Sequence, residues 1–309
     1  MELSIVIPVY NEEENVELVF RKNKEVLDRM KMDYEVIFVD DGSRDRTFQN
    51  LLRMKDSHLK IIRFRKNFGQ TAAMDAGFKA AKGKVIVSMD GDLQNDPADI
   101  PRLLAKMKEG YDAVCGWRKN RKDPILKHII SRGANLLRKI IIHDRIHDSG
   151  CSLKAYRKEC FEDLDLFGEM HRFIPALLEW KGFKVTEIPV AHHPRKYGKT
   201  KYNMKRVMKG FLDMIVVKFW MQYSTRPIHL FGGWGVLMTI VGFLLGVYLS
   251  IQKLFYGVSL SNRPLLLLAI LLMIIGVQFI IFGVLADILV KVYYKENKNY
   301  SIERIVENR

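Results

Sequence analysis

The segment KVIVSMDGDLQ, residues 84–94, runs from an apolar, β-branched stretch directly into two carboxylates, Asp90 and Asp92. Two like charges this close together at the end of a buried strand repel each other unless something positive lies between them. A divalent cation would remove this conflict, and a solvated turn after a strand is the simpler alternative. The segment therefore predicts a strand followed by a polar loop, and the rest of the chain must indicate what the loop does.

Similar apolar runs recur through the first part of the chain and alternate with helical patterns. The predicted strands are LSIVIPV, YEVIFVD, LKIIRF, KVIVSMD and YDAVCGW, and the predicted helices cover residues 13–30, 45–54, 70–81 and 98–108. Strands that alternate with helices form βαβ units. The pattern predicts an α/β fold with a doubly wound, mostly parallel sheet.

Polar loops follow the first four predicted strands. Their sequences are PVYNEEEN, DDGSRDRT, RKNFGQTAA and DGDLQND. Ligands of open α/β sheets bind outside the carboxyl ends of the strands, so the four loops predict one shared site. No G-x-G-x-x-G follows the first strand, which weighs against a dinucleotide-binding enzyme.

The chain is strongly basic, with 309 residues and a formal net charge of +15. This charge predicts an anionic partner, which could be nucleic acid, an anionic membrane surface or a phosphate-bearing substrate. The three cysteines have no metal-ligand spacing, and we expect reduced packing cysteines in a cytoplasmic setting. We expect no cleavable signal peptide, because the first residues lack a basic region and a long apolar run.

Two stretches near the C-terminus, residues 230–251 and 265–286, are nearly free of charge. Each reaches the ~20 residues that a helix needs to cross a bilayer, so we expect two transmembrane helices. Lys and Arg are concentrated before the first stretch and after the second, which predicts a multi-pass protein of the cytoplasmic membrane with both termini cytoplasmic. A homo-oligomer is compatible with the glycines of these stretches, which do not set a stoichiometry by themselves.

The segment before the first span, NMKRVMKGFLDMIVVKFWMQY, mixes basic positions with large apolar ones. It predicts an amphipathic helix in the headgroup region, and a helix packed on the soluble domain is the alternative. We therefore expect a cytoplasmic catalytic domain over residues 1–202, a juxtamembrane helix over 203–227, a two-helix membrane domain over 228–290 and a cytoplasmic tail over 291–309.

Several motifs in order along the chain resemble those of family-2 glycosyltransferases with the GT-A fold. They are SIVIPVYNEEENV, VDDGSRDRT, NFGQTAAMDAG, MDGDLQNDP, GWRKNRKD, HDSGCSLKAYR and HHPRKYGKTKYN. With its two C-terminal spans, the whole chain is similar to polyprenyl-phosphate glycosyltransferases, which include dolichol-phosphate mannosyltransferases and undecaprenyl-phosphate glucosyltransferases. The resemblance implies a membrane-anchored inverting enzyme that moves a hexose-type sugar from a UDP- or GDP-sugar to a polyprenyl phosphate and releases the nucleoside diphosphate.

The resemblance also implies where the donor binds. Asp90 and Asp92 would hold Mg²⁺ or Mn²⁺ against the donor diphosphate, with Gln94 as a further ligand, and the metal would assist the leaving group. The nucleotide-sugar site that it implies comprises Pro8, Tyr10, Asn11, Glu12, Asp40, Asp41, Asn67, Gly69, Asp90, Gly91 and Asp92.

The acceptor side of the implied site is basic. A lipid phosphate is close to a dianion near neutral pH and can attack the sugar without a protein base, so positioning and charge neutralisation would carry most of the catalysis. The residues implied to bind this phosphate are Arg118, Arg132, Arg195 and Lys201.

The catalytic residues that the resemblance implies are Asp92, Arg118 and Asp148. Some family members have an acid where this chain has Cys151, which leaves Asp148 as the nearest carboxylate. It would either orient the acceptor or cap a turn. The adjacent pair His192 and His193 would point apart in a strand, which disfavours a metal role for them.

Two alternatives remain open. A processive polysaccharide synthase shares the nucleotide loops but adds a Q-x-x-R-W element and more spans, and this sequence has no Q-x-x-R-W. A non-enzymatic nucleic-acid-binding membrane protein would account for the net charge, but the acidic loops would repel nucleic-acid phosphates unless a metal intervened. We expect a nucleotide sugar, a polyprenyl phosphate and the membrane as partners, and no nucleic acid.

Overall fold

The computed structural model describes residues 1–119, 141–142, 146–162, 164, 166, 168–195, 204–224, 226–261 and 263–296. Within it the chain divides into two units, Met1–Lys218 and Phe219–Arg309. The first unit carries the predicted α/β pattern, and the second carries the two uncharged stretches.

The described part of the first unit contains a seven-stranded mixed sheet. Its strands are β1 (Leu3–Val9), β2 (Tyr34–Asp40), β3 (Leu59–Arg63), β4 (Val85–Ser88), β5 (Ala113–Trp117), β6 (Lys154–Arg157) and β7 (Val185–Pro189), in the order β3-β2-β1-β4-β6-β5-β7. Strands β1 to β4 are mutually parallel, and β6 runs antiparallel to both β4 and β5. The prediction of a mostly parallel α/β sheet is confirmed.

Five α-helices are described in the polypeptide between and beside these strands. They are α1 (Val16–Met30), α2 (Thr47–Arg53), α3 (Gln70–Ala80), α4 (Ile100–Met107) and α5 (Ile174–Trp180). The first four coincide with the predicted helices. Helix α1 begins three residues later than predicted, and the intervening Glu13 instead bonds to the loop after β2, donating to Asp45 Oδ2 and accepting from the Arg46 amide.

The core of the first unit is formed by the β-branched and aromatic residues of the central strands. Ile5, Ile7, Val36 and Phe38 are fully buried, as is Val87 of β4. Burying one such side chain contributes roughly 1.5–3 kcal/mol. Because β1, β2, β3 and β4 are parallel, this packed core fixes the four polar loops at one edge of the sheet.

Helix α6 (Met204–Tyr223) contains the predicted juxtamembrane segment. Asp213 accepts a hydrogen bond from the Glu169 amide at 3.1 Å, and Met214 and Val217 are buried. Leu212, by contrast, is exposed, as are Ile215 and Val216. One side of the helix is therefore packed, as the alternative interpretation expected, and another side presents apolar residues to the exterior.

The second unit contains α7 (Ile228–Tyr256) and α8 (Pro264–Glu296), which are long and apolar enough to cross a membrane. Both helices are longer than the predicted membrane spans. The helices pack closely at glycines: a Cβ on Gly276 would lie 2.6 Å from the Gly235 carbonyl oxygen, and a Cβ on Gly242 would lie 2.7 Å from that of Ala269. Small residues of this kind allow the close approach of membrane helices.

Candidate active site

The loops after β1 and β2 are bonded to each other through side-chain oxygens. The Asn11 amide donates to Ser43 Oγ at 2.9 Å, and Asn11 Oδ1 accepts from the Arg44 amide at 2.8 Å. The Glu12 amide donates to Thr47 Oγ1 at 2.8 Å. Asn11 has a left-handed φ of 54°, which asparagine tolerates better than most residues. Asn11 therefore shapes the turn that positions the backbone of Glu12.

Asp41 ties the loop after β2 to the loop before α3. Its two carboxylate oxygens accept from the amides of Phe68 at 2.7 Å and Gly69 at 2.9 Å. Gly42 allows these two loops to lie this close together, because a Cβ at this position would lie 2.5 Å from the Lys66 carbonyl carbon. Asp41 and Gly42 thus hold the loop after β2 against the loop before α3.

Asp40, at the end of β2, is 0% exposed. Its Oδ1 accepts from the Ser43 amide at 2.9 Å. Its Oδ2 lies 3.5 Å from Arg63 Nε and has no hydrogen-bond partner among the described residues. A buried carboxylate oxygen without a hydrogen bond is costly, and a ligand hydroxyl or N–H could reach it only after a neighbouring side chain moves.

The two carboxylates after β4 are held by the surrounding loops. Gln70 Nε2 donates to Asp90 Oδ1 at 2.8 Å, and the Gln94 amide donates to Asp92 Oδ1 at 3.1 Å. Burial and then the nearby charge of Asp90 raise the pKa of Asp92 to about 6, although Arg195 opposes the shift. The two acids therefore form a site with excess negative charge, which a bound cation would relieve.

The donor set suits a hard divalent cation that shares its coordination with a ligand. In the described part of the chain, no three His, Cys, Asp or Glu side chains surround a common metal position. Gln94 Nε2 donates to the His193 carbonyl at 3.4 Å, which leaves the amide oxygen as an acceptor. Asp90, Asp92 and Gln94 could thus fill part of an oxygen shell, with water and phosphate oxygens completing it.

Arg195 lies against the first of these loops. Its Nη2 is 2.5 Å from Glu12 Oε1, and Glu12 Oε2 accepts from Asn15 Nδ2 at 2.6 Å. Because Arg195 also acts on the pKa of Asp92, its charge is close to the carboxylate pair. The fold brings together an arginine and nucleotide loops that are far apart in sequence.

Arg118 and Asp148 form a largely buried, two-point ion pair. Arg118 Nε lies 2.7 Å from Asp148 Oδ2, and Arg118 Nη2 lies 2.9 Å from Asp148 Oδ1. Burial acts to lower the pKa of the Arg118 guanidinium, but the hydrogen bonds to Asp148 outweigh it and raise this pKa above the usual value. The geometry makes Asp148 a partner that orients Arg118.

The other predicted site residues lie at the same edge of the sheet with different exposures. Pro8 and Tyr10 are half-buried at the end of β1, and Asn67 is exposed in the loop before α3. Gly91 is buried, and a Cβ there would lie 2.6 Å from Val9 Cγ1, so packing alone requires a glycine. Arg132 and Lys201 lie outside the described residues.

Three residues that support the site, Gln70, Asn95 and Lys154, are not among those that the sequence predicts. Gln70 holds Asp90, while Asn95 accepts from the Asp90 amide at 3.2 Å and from Ser152 Oγ at 2.8 Å. Lys154 is buried at the first position of β6. Gln70 and Asn95 belong to polar loops that the strand pattern had located, but only tertiary structure shows their partners. His193 Nε2 lies 3.0 Å from Asp96 Oδ2.

The sequence matches the Glycosyl transferase family 2 model over residues 4–165. The chain belongs to this family. The expected resemblance is therefore confirmed, and the chain is a glycosyltransferase by family. Its first 165 residues hold all four loops at the carboxyl edge of the sheet, including Asp90 and Asp92.

Two relatives are similar to this family-2 glycosyltransferase over nearly its full length. The dodecaprenyl-phosphate galacturonate synthase of Rhizobium johnstonii is 38% identical over 318 residues, which cover 100% of this chain and 94% of the relative. The undecaprenyl-phosphate 4-deoxy-4-formamido-L-arabinose transferase of an Enterobacter species is 34% identical over 310 residues, which cover 98% of this chain and 93% of the relative. The similarity thus includes the region of both apolar helices.

Solved structures share the fold at low sequence identity. Glucosyl-3-phosphoglycerate synthase from Mycobacterium tuberculosis with phosphoglyceric acid has a TM-score of 0.55 and 17% identity, covering 70% of this chain and 79% of that chain. The same enzyme with Mn²⁺ and UDP-glucose has a TM-score of 0.54, covering 70% and 78%. These structures confirm the GT-A-type fold.

Proposed function

We propose that this family-2 glycosyltransferase transfers one hexose-type sugar, with inversion, from a UDP- or GDP-sugar to a polyprenyl phosphate. The observation that carries the proposal is the full-length similarity to two relatives named for dodecaprenyl and undecaprenyl phosphate. A phosphate oxygen of the acceptor forms a bond to the anomeric carbon. The bond from that carbon to the donor's diphosphate breaks, and the nucleoside diphosphate leaves.

The donor would bind across the loops after β1, β2 and β4. Asp40, whose buried Oδ2 lacks a hydrogen bond among the described residues, would accept from the base or ribose once neighbouring side chains move aside, and Tyr10 would stack at the edge of the site. Asp90, Asp92 and Gln94 would hold Mg²⁺ or Mn²⁺, which when bound supplies charge neutralisation for the departing diphosphate. A solved structure of this fold that contains Mn²⁺ and UDP-glucose supports the use of a divalent cation in general.

The acceptor phosphate would bind beside Arg118, which Asp148 holds in one orientation. We keep Arg132 and Lys201 as proposed phosphate contacts on the strength of the motif resemblance. No protein base is needed, because the acceptor phosphate carries its own negative charge, so catalysis would rest on positioning and electrostatics.

For Arg195 we propose the donor diphosphate as the bound anion. The sequence resemblance pointed to the lipid phosphate, but the contact with Glu12 lies on a nucleotide loop, and the Arg195 charge acts on Asp92. A cation at this place would neutralise charge that develops on the leaving group.

Helices α7 and α8 would anchor the enzyme in the cytoplasmic membrane, with the catalytic unit and both termini on the cytoplasmic side. Their length and apolar composition support the anchoring, and the Lys and Arg bias supports the orientation. The exposed apolar residues of α6 would lie at the headgroup region, near the lipid acceptor. Thiol labelling of cysteines introduced at Val258 and Lys298 in intact and permeabilised cells would test the topology.

Product analysis tests the proposal. The purified full chain is incubated with a short polyprenyl phosphate, Mg²⁺ or Mn²⁺ and a panel of nucleotide sugars, and the lipid fraction is examined by mass spectrometry. We expect one donor to give a lipid heavier by one sugar residue. Asp92→Asn and excess chelator should abolish this product, while Asp33→Asn, at an exposed position, should retain it.

Formation of long saccharide chains would support the processive alternative. Nucleic-acid binding without any sugar transfer would support the non-enzymatic alternative.

A further inference from the structure

A lysine is buried at the edge of the sheet that carries the site. Lys154 is the first residue of β6 and is 2% exposed. Its register partners are Ser88 of β4 and Cys115 of β5. Ser88 precedes Asp90 by two residues, and Cys115 precedes Arg118 by three. The lysine thus lies between the strand that leads to the carboxylate pair and the strand that leads to Arg118.

The Lys154 side-chain amine contacts the turn that carries the partner of Arg118. Lys154 Nζ donates to the Ser149 carbonyl at 2.9 Å. Asp148, next to Ser149, makes the two-point ion pair with Arg118, and the Cys151 amide closes the turn on the Asp148 carbonyl at 3.3 Å. A shift of the Ser149 carbonyl would therefore move Asp148 and, with it, the guanidinium.

The same stretch of chain also contacts the loop of the carboxylate pair. Ser152 Oγ donates to Asn95 Oδ1 at 2.8 Å, and this oxygen also accepts from the Asp90 amide at 3.2 Å. Ser88 Oγ donates to the Ser152 carbonyl at 2.7 Å. These contacts run through Ser152 and not through the Lys154 amine, which instead contacts the turn next to Asp148.

Lysine is an unfavourable residue at such a position if only stability matters. Lysine is almost never fully buried unless it is paired, and burial lowers the pKa of the Lys154 amine. A methionine of similar length would fill the same space without the desolvation cost.

We infer that Lys154 is a positioning residue for the transfer reaction: it holds the turn of residues 148–150, and through Asp148 it holds Arg118 in the orientation that receives the acceptor phosphate. The inference rests on the proposed function. We expect this buried amine to affect the use of the acceptor and not the binding of the donor.

The test compares Lys154→Met, Lys154→Arg and the exposed control Lys158→Met in the full chain. The measurements are the kcat and KM for a short polyprenyl phosphate, the affinity for the nucleoside diphosphate with Mn²⁺, and the melting temperature. We expect Lys154→Met to melt at or above the wild-type temperature and to bind the nucleotide within about twofold, while its kcat/KM for the acceptor falls about ten- to a hundredfold. Lys154→Arg should restore part of the loss, and Lys158→Met should match the wild type.

Wild-type acceptor kinetics in Lys154→Met would overturn the inference, and so would an equal loss of nucleotide affinity. If Lys154→Met does not fold, Lys154→Arg is measured instead, because it keeps a hydrogen-bond donor but places it at a different distance from the backbone. A lower acceptor kcat/KM with unchanged nucleotide affinity then supports the inference, and wild-type acceptor kinetics or an equal loss of nucleotide affinity overturns it. A wild-type chain that makes no lipid product would overturn the proposed function itself, which separates the two failures.

Discussion

Arg195 Nη2 and Glu12 Oε1 lie 2.5 Å apart and join residues that are 183 positions apart in the chain. Their side chains are 19% and 9% exposed, respectively. A pair with so little water around it is stronger than a surface ion pair, but it also costs more desolvation. Glu12 thus positions a cation beside the nucleotide loops and the carboxylate pair.

Replacing Arg195 with alanine should weaken nucleotide binding. We expect the affinity for UDP or GDP with Mn²⁺ to fall about ten- to a hundredfold, because losing a charge-assisted hydrogen bond costs roughly 1.5–3 kcal/mol. Arg195→Lys should recover only part, since the planar fork is gone. Calorimetry measures this directly, with the exposed Arg21→Ala as control. Unchanged nucleotide affinity with a raised acceptor KM would instead assign Arg195 to the lipid phosphate.

Asp92→Asn should stabilise the metal-free protein above pH 6 while removing activity. The folded-state pKa of Asp92 is raised from 3.8 to about 6, so the protonated form contributes stability below pH 3.8 that is lost as the pH rises through 6. At pH 7.5 in chelator the variant should be more stable by about 1–3 kcal/mol, because one pKa unit corresponds to about 1.4 kcal/mol.

Thermal melts at pH 4 and pH 7.5 check this dependence. The difference between the two proteins should vanish near pH 4, and Mn²⁺ should raise the melting temperature of the wild type more than that of the variant. A wild type that is the more stable protein at pH 7.5 in chelator would show that the two carboxylates do not repel each other.

Much of the fold could be predicted from the sequence because local patterns determine it. The β-branched runs that became β1, β2 and β4 bury nearly every residue, and helices of 3.6-residue periodicity separate them. The antiparallel direction of β6 could not be read in this way. Its four residues follow a long connection, and a strand's direction depends on tertiary pairing and not on its own composition.

The residue types of the site could be predicted, but their partners could not. The motif located Arg118 and Asp148 separately, whereas their two-point pairing depends on how two loops meet. The resemblance places Arg195 among the residues that bind the lipid phosphate, and no sequence pattern predicts its contact with Glu12. Long-range contacts such as Arg195 with Glu12 follow from the closed fold alone.

Removing one member of the Arg118–Asp148 pair should destabilise the catalytic unit. Asp148→Asn leaves a buried guanidinium without its charge partner, and such losses cost about 3–5 kcal/mol. The double variant Arg118→Met with Asp148→Leu should regain most of this stability but none of the transfer activity. Chemical unfolding and acceptor kinetics measure the two effects. A fully active double variant would exclude Arg118 from acceptor binding.

The pairing of α7 and α8 should depend on Gly276. A Cβ there would lie 2.2 Å from Thr239 Oγ1 and 2.6 Å from the Gly235 carbonyl, so Gly276→Leu should separate the helices. Among the described residues, no atom outside the local helix backbone lies within 4 Å of a Cβ placed on Gly246, and Gly246→Leu is the matched control. Disulfide cross-linking between cysteines introduced on the two helices, in membranes, measures the pairing. Equal cross-linking in both variants would contradict the described packing.

In the proposed reaction a lipid phosphate, and not another group, receives the sugar. The most direct measurement compares a polyprenyl phosphate with the matching polyprenol under identical conditions, quantifying the glycolipid by mass spectrometry and the released nucleoside diphosphate enzymatically. We predict one nucleoside diphosphate for each sugar-carrying lipid with the phosphate, and neither product above background with the alcohol. Transfer to the polyprenol, or nucleotide release without any glycolipid, would contradict the assignment of the lipid phosphate as the sugar acceptor.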